Sequence, residues 1–116
     1  MIERLKGKAR GRNRASAYKD LVWAVATADN ASAGIAEQTR LTLATIEKNL
    51  ETMGSHKHRI VSAQIYLASL RDKAAMDAVW CEWLGDDPEH WPQRACLGVA
   101  LEGGALVEIT VTAVRG

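Results

Sequence analysis

One stretch of the chain constrains its fold more than any other. Ile35, Thr39, Leu43, Ile46, Leu50 and Met53 recur at spacings of four and three, which places them in one stripe down a helix. Glu37, Arg40, Glu47, Lys48 and Glu51 fill the remaining positions. Gly54 follows, where a left-handed residue commonly closes a helix. The spacing predicts one long helix over residues 34–53. A single apolar stripe of that length has to be buried against a broad partner, and a sheet built from the rest of the chain is the natural one.

Alternation supplies the strands. Tyr18 to Ala28 is rich in β-branched and aromatic residues and pairs with the preceding segment across a turn at Lys19-Asp20. Arg59 to Ser69 is the clearest strand: Val61, Ala63, Ile65 and Leu67 on one face, Ile60, Ser62, Gln64 and Tyr66 on the other. Ser69 and Asp72 read as a capping box before a second helix over residues 72–84, with Met76, Val79, Trp80 and Trp83 as its stripe and Gly85 as its stop. Arg94 to Leu101 sends Ala95, Leu97, Val99 and Leu101 toward the helices and Arg94, Cys96 and Gly98 away. Leu106 to Val114 sends Val107, Ile109, Val111 and Ala113 inward and Leu106, Glu108, Thr110 and Thr112 outward. Gly103-Gly104 between them reads as a hairpin turn. The order is β-β-α-β-α-β-β, with room for a short extra strand at the start. That is an α+β fold with both helices on one face of one sheet. The other face holds Gln64, Tyr66, Cys96, Glu108 and Thr110, too apolar for water and too polar for a core. Self-association through that face solves the problem.

The 116 residues fit a single domain, 1–116. No apolar run reaches the roughly 20 residues a membrane helix needs, and the first residues lack the apolar core of a secretory signal. Cys81 and Cys96 are the only cysteines and have no metal or CxxC spacing. Both read as reduced thiols of a cytoplasmic protein, Cys81 as a small buried hydrophobe. The net charge of +1 gives no general affinity for nucleic acid. It is unevenly spread, however. Arg4, Lys6, Lys8, Arg10, Arg12, Arg14 and Lys19 face Glu3 alone in residues 1–19, a local +6. Six of these cations sit at even positions, so an extended strand lines them on one face as an anion-attracting stripe. The same pattern also serves as a solvated edge that resists aggregation, and Gly7 and Gly11 interrupt it.

Arg94 stands out chemically. It opens a strand of apolar and small residues directly after Pro92-Gln93. A half-enclosed guanidinium grips a carboxylate through two parallel hydrogen bonds, which lysine cannot reproduce. Glu108 on the neighbouring strand faces the same way, either pairing with Arg94 or orienting a water beside it. Trp91, beside Pro92, can wall a pocket. His56-Lys57-His58 lacks the further ligands of a metal site, with His90 distant in sequence, and reads as a surface turn. Asp86, Asp87 and Glu89 lack calcium-loop spacing. No phosphate-loop or dinucleotide glycine pattern occurs.

Taken in order, several segments resemble the RidA family of imine deaminases, also known as endoribonuclease L-PSP-like proteins. Gly34-Ile-Ala-Glu-Gln-Thr-Arg with Leu43, Ile46, Leu50 and Gly54 is similar to its first helix. Lys57-His-Arg-Ile-Val-Ser-Ala-Gln-Ile-Tyr-Leu resembles the following strand, Met76-Asp-Ala-Val-Trp the second helix, and Pro92-Gln-Arg-Ala-Cys with Val107-Glu-Ile the terminal strands. The resemblance covers residues 12–115. It implies a chorismate-mutase-like homotrimer with sheets inward and active sites between subunits. The implied reaction is cofactor-free and metal-free hydrolysis of small 2-imino carboxylates to 2-keto acids and ammonia. Arg94 then holds the substrate carboxylate, Cys96 lines the site and Glu108 positions the water. The implied partners are a small anionic ligand and two further copies of the chain, without a membrane or nucleic acid. Three family positions differ: Ser-Gly-Gln is Val25-Ala26-Thr27 here, the early tyrosine falls at Arg12, and the second-helix asparagine is Asp77. Asp77 sets a negative charge near the carboxylate site, and Arg12 or Arg14 offers a second cationic contact. A binding trimer without turnover, and an RNA-binding or endoribonuclease protein, are the alternative functions.

Overall fold

The computed structural model describes all residues, Met1–Gly116. Eight regular elements follow one another: β1 (Glu3–Leu5), β2 (Ala15–Tyr18), β3 (Leu21–Thr27), α1 (Ile35–Thr52), β4 (Ile60–Leu67), α2 (Lys73–Leu84), β5 (Gln93–Gly98) and β6 (Val107–Val114). They form one six-stranded sheet, ordered β1-β2-β3-β6-β4-β5, with both helices on one face. All neighbours are antiparallel except β4 and β5. This is the α+β domain with both helices on one face of one sheet expected from the pattern, and the parallel β4–β5 pairing makes the sheet mixed.

The predicted helix over 34–53 forms within one residue at each end. Its close is a complete Schellman motif. Ser55 N donates to Leu50 O at 2.8 Å and Gly54 N to Glu51 O at 3.1 Å, with Gly54 at φ 88°. The β2–β3 turn falls at Lys19-Asp20, and Lys19 adopts the left-handed φ of 53°. The core lies between sheet and helices. Val22, Ala24 and Ala26 of β3, Ala63, Ile65 and Leu67 of β4, and Val107, Ile109, Val111 and Ala113 of β6 meet Leu43, Ile46 and Leu50 of α1 and Met76, Val79, Trp80 and Leu84 of α2.

Several expectations need correction. The last two strands do not form a hairpin. β6 inserts between β3 and β4, while β5 pairs parallel to β4 at the sheet edge. The reason lies in the connection, residues 99–106, which docks on α1 instead of turning back. Gln38, fully buried, donates to Ala33 O and Gly104 O at 3.1 and 3.0 Å and accepts from Leu106 N at 2.9 Å. A Cβ on Gly104 would lie 2.6 Å from the Ala31 Cβ, so only glycine permits this approach. The strand ends at Gly98 rather than Leu101.

The faces of β5 are also reversed. Arg94 stands in register with Ala63 and Cys96 with Ile65, on the helix side, while Leu97 is 49% exposed on the other. In β4 a bulge between Ile60 and Ser62 turns Val61 outward, 50% exposed, and buries Ile60 in its place. Ser69 caps a short helical turn over Leu70–Asp72 by accepting from Arg71 N; the capping box with Asp72 does not form. Cys81 is exposed rather than buried. The cationic stripe is broken: β1 spans three residues, and Gly11 at φ 87° lies in the loop that returns to β2.

Candidate active site

The residues expected to form a site fall into two regions on opposite faces of the sheet. The first is a groove of about 560 Å³ between α2 and the start of β5, lined by Asp77, Trp80, Cys81, Trp91 and Arg94 among others. Parallel pairing with β4 aims Arg94 under α2. There its guanidinium lies 5.5 Å from the centre of the Trp80 ring, and its Nη2 lies 2.8 Å from Asp77 Oδ1. The Arg94 side chain is 19% exposed, so it is held yet still reachable. Asp77 and Trp80 share this contact because positions i and i+3 lie on one helix face. Trp80 thereby serves both as core, as its stripe position predicts, and as the platform for Arg94.

Asp77 also accepts from Lys73 Nζ at 2.7 Å through Oδ2. Its Oδ1 is buried and off the N–H axis of Arg94, so that contact is ionic without an aligned hydrogen bond. Burial pushes the Asp77 carboxyl up, but the Lys73 hydrogen bond and the Arg94 guanidinium together hold it below the usual aspartate value. Trp91 flanks the groove, 53% exposed, with its indole N–H bonded to Gly85 O at 2.9 Å. Cys96 sits on the helix side of β5, partly buried against the core.

The second region is the open sheet face. Glu108 stands there in register with Thr27 and Tyr66. Thr110 donates to Gln64 at 2.8 Å, and Gln64 donates to Ser62 at 3.1 Å. A cavity of about 390 Å³ on this side is lined by Arg4, Arg12, Arg14, Trp23, Gln64 and Thr110, among others. Arg12 and Arg14 therefore do not join Arg94 within one chain, and neither does Glu108. The Arg94–Glu108 pairing, one of the two alternatives left open by the sequence, does not form: β4 separates β6 from β5, and the two side chains lie on opposite faces.

Sequence reasoning missed Lys73, although its spacing of four from Asp77 signals the ion pair. It also left the histidines apart. His90 stacks on His58 with ring centres 4.0 Å apart, and His56 meets His58 edge-on at 5.1 Å. His58 Nε2 lies 3.2 Å from Leu84 O, so the cluster fastens the segment before β5 to the end of α2. Proximity came from the return of the chain after α2, which spacing along the sequence does not reveal.

Comparison with known proteins places this architecture. The family model described as Endoribonuclease L-PSP matches residues 23–115. The chain belongs to this family, the RidA family. The RidA-family chain is 40% identical over 65 residues to a RutC family protein of Haemophilus influenzae, covering 56% of the chain and 54% of that protein. It spans about half the length of such curated relatives. Among solved structures, an uncharacterized protein from Pseudomonas aeruginosa superposes with a TM-score of 0.89 at 30% identity over the whole of both chains. A YjgF family member from Neisseria meningitidis gives 0.88 at 31% identity, covering 100% of this chain and 96% of that one. No helix of the RidA-family chain is long and apolar enough to cross a membrane.

Proposed function

We propose that the protein is a cofactor-free deaminase that hydrolyses small 2-imino carboxylates to 2-keto acids. The observation that carries this reading is the enclosed Arg94 guanidinium, seated on Trp80 in a groove sized for a small molecule. Family membership supports it. The substrate carboxylate is gripped by the N–H groups of Arg94 that Asp77 leaves free, a charge-assisted contact. The imine nitrogen, protonated as an iminium, makes the adjacent carbon electrophilic. Water adds to that carbon, the C–N bond breaks, and the C=O bond forms. The nitrogen leaves as ammonium, so C=NH₂⁺ and H₂O become C=O and NH₄⁺.

Glu108 is the proposed group that orients the water, and Cys96 lines the inner wall. Since Arg94 and Glu108 lie on opposite faces of one sheet, a site using both needs two chains, with Glu108 of the partner subunit reaching the groove. This supports a homotrimer closed over the open face, where Leu21, Trp23 and Leu97 are exposed. Arg12 and Arg14, on the same side as Glu108, are proposed as its cationic border.

The test is turnover of 2-iminopropionate, generated in situ from an amino acid and followed by semicarbazide trapping. Keto-acid formation should accelerate with the wild-type protein. Arg94→Ala should lower kcat/KM by roughly 10- to 100-fold, the worth of a lost charged hydrogen-bond pair. A second reading, a binding assembly without turnover, is favoured by one observation: Asp77 already occupies part of Arg94. It predicts saturable carboxylate binding with no acceleration of hydrolysis.

A further inference from the structure

The Arg94–Asp77 pair carries an inference about ligand class, which rests on the deaminase reading of the same groove. A carboxylate-binding arginine normally waits unpaired for its ligand. Here it meets the groove as half of a dipole. Asp77 Oδ1 is 2.8 Å from Arg94 Nη2, and Lys73 holds Oδ2 at 2.7 Å. Lys73 thus fixes the aspartate from the helix side, while Trp80 fixes the guanidinium from beneath. Oδ1 is buried, so a ligand meets the Asp77 charge through the 30% of the side chain that remains exposed. Asp86 adds a second carboxylate to the groove lining, and Trp80, Leu84, Trp91 and Pro92 supply apolar walls.

A plain carboxylate gains from Arg94 but meets the Asp77 charge at close range. A ligand with a cationic nitrogen beside its carboxylate gains at both ends, with its carboxylate on Arg94 and its nitrogen in the field of the adjacent Asp77 carboxylate. We propose that Asp77 selects zwitterionic ligands, namely the iminium form of 2-imino acids with apolar side chains, over neutral-centred carboxylates such as the 2-keto acid product. Asp77 is then a specificity residue that favours substrate over product and hastens product release. Burial of charged partners makes such discrimination larger than on an open surface.

The test uses stable probes on the full-length protein: leucine as the zwitterion and 4-methyl-2-oxopentanoate as the keto acid, both titrated calorimetrically. Wild type should bind leucine at least roughly tenfold more tightly than the keto acid, about one charged hydrogen bond. Asp77→Asn preserves shape and should collapse that ratio toward one, chiefly by strengthening keto-acid binding. Lys73→Gln, which frees Asp77, should widen it. Arg94→Ala should weaken both ligands. A ratio that Asp77→Asn and Lys73→Gln both leave unchanged overturns the proposal, as does wild-type preference for the keto acid or failure to bind either probe. If imine hydrolysis still depends on Arg94 in that case, the selectivity idea alone has failed. If hydrolysis is also absent, the deaminase reading has failed with it.

Discussion

His58 shows how one side chain links distant parts of this chain. Its pKa is lowered by burial first and by the neighbouring His90 next, with Leu84 O opposing the shift. The unfolded chain therefore binds a proton at higher pH than the folded one. The stability His58 contributes is present above about pH 6.5 and is lost as pH falls through that range. Thermal unfolding midpoints should drop between pH 7.5 and 5.5, and His58→Gln should flatten the dependence. An equal slope in the variant would refute the assignment. Asp77, held low by Lys73 and Arg94 against burial, acts in a separate, more acidic window. Individual residues were legible where type alone decides chemistry: Arg94 stands out as a carboxylate-binding guanidinium, whereas Asp77 stands out only because the resemblance implies an asparagine there. Their mutual contact was not, because the direction of Arg94 depends on which strand β5 pairs with. Trp91 was legible as a groove wall for the same reason as Arg94, since both follow from Pro92 at the strand start.

At the scale of elements, Gln38 replaces secondary structure with side-chain bonds. It holds the β5–β6 connection on α1 through Gly104 O and Leu106 N, both far away in sequence. Gln38→Leu leaves those part-buried backbone groups without their partner and should cost about 1–2 kcal/mol in urea unfolding. Gly104→Ala should destabilise comparably through the clash with Ala31. A loss under about 0.5 kcal/mol for both would show that the connection moves without penalty. Both helices and the strand around Ile60–Leu67 were readable, since a stripe or an alternation reports burial within one element. The placement of β6 was not. Gly103-Gly104 looks like a hairpin turn because glycine marks close approach and tight turns alike; only Gln38 across the chain tells them apart. The bulge at Val61 likewise leaves the alternation intact on paper while shifting its phase.

The whole molecule has one finished face and one unfinished face. The helices cover the first. On the second, Tyr18, Leu21, Trp23 and Leu97 stand exposed among polar residues. The proposed trimer covers them. Trp23→Glu should therefore convert the assembly to monomers in light scattering, and it should abolish turnover even though Arg94 is untouched. Monomers that retain full activity would contradict a site shared between subunits. The α+β architecture was legible at this scale, as was the unpartnered face, because the alternation of β6 and of β4 from Ala63 onward reports the inward residues, although Val61 and the whole of β5 run against it. The separation of Arg94 from Glu108 onto two faces was not, since it follows from the reversal in β5.

The thinness of the molecule has a further consequence. Its extents are 40 × 38 × 19 Å, and only 25 of 116 residues are buried. A slab one helix and one sheet deep gains little from closing on itself. In the proposed trimer, much of its stabilising free energy is collected only when copies meet. Refolding should thus depart from first-order kinetics, slowing on dilution, and the melting temperature should climb with the logarithm of protein concentration.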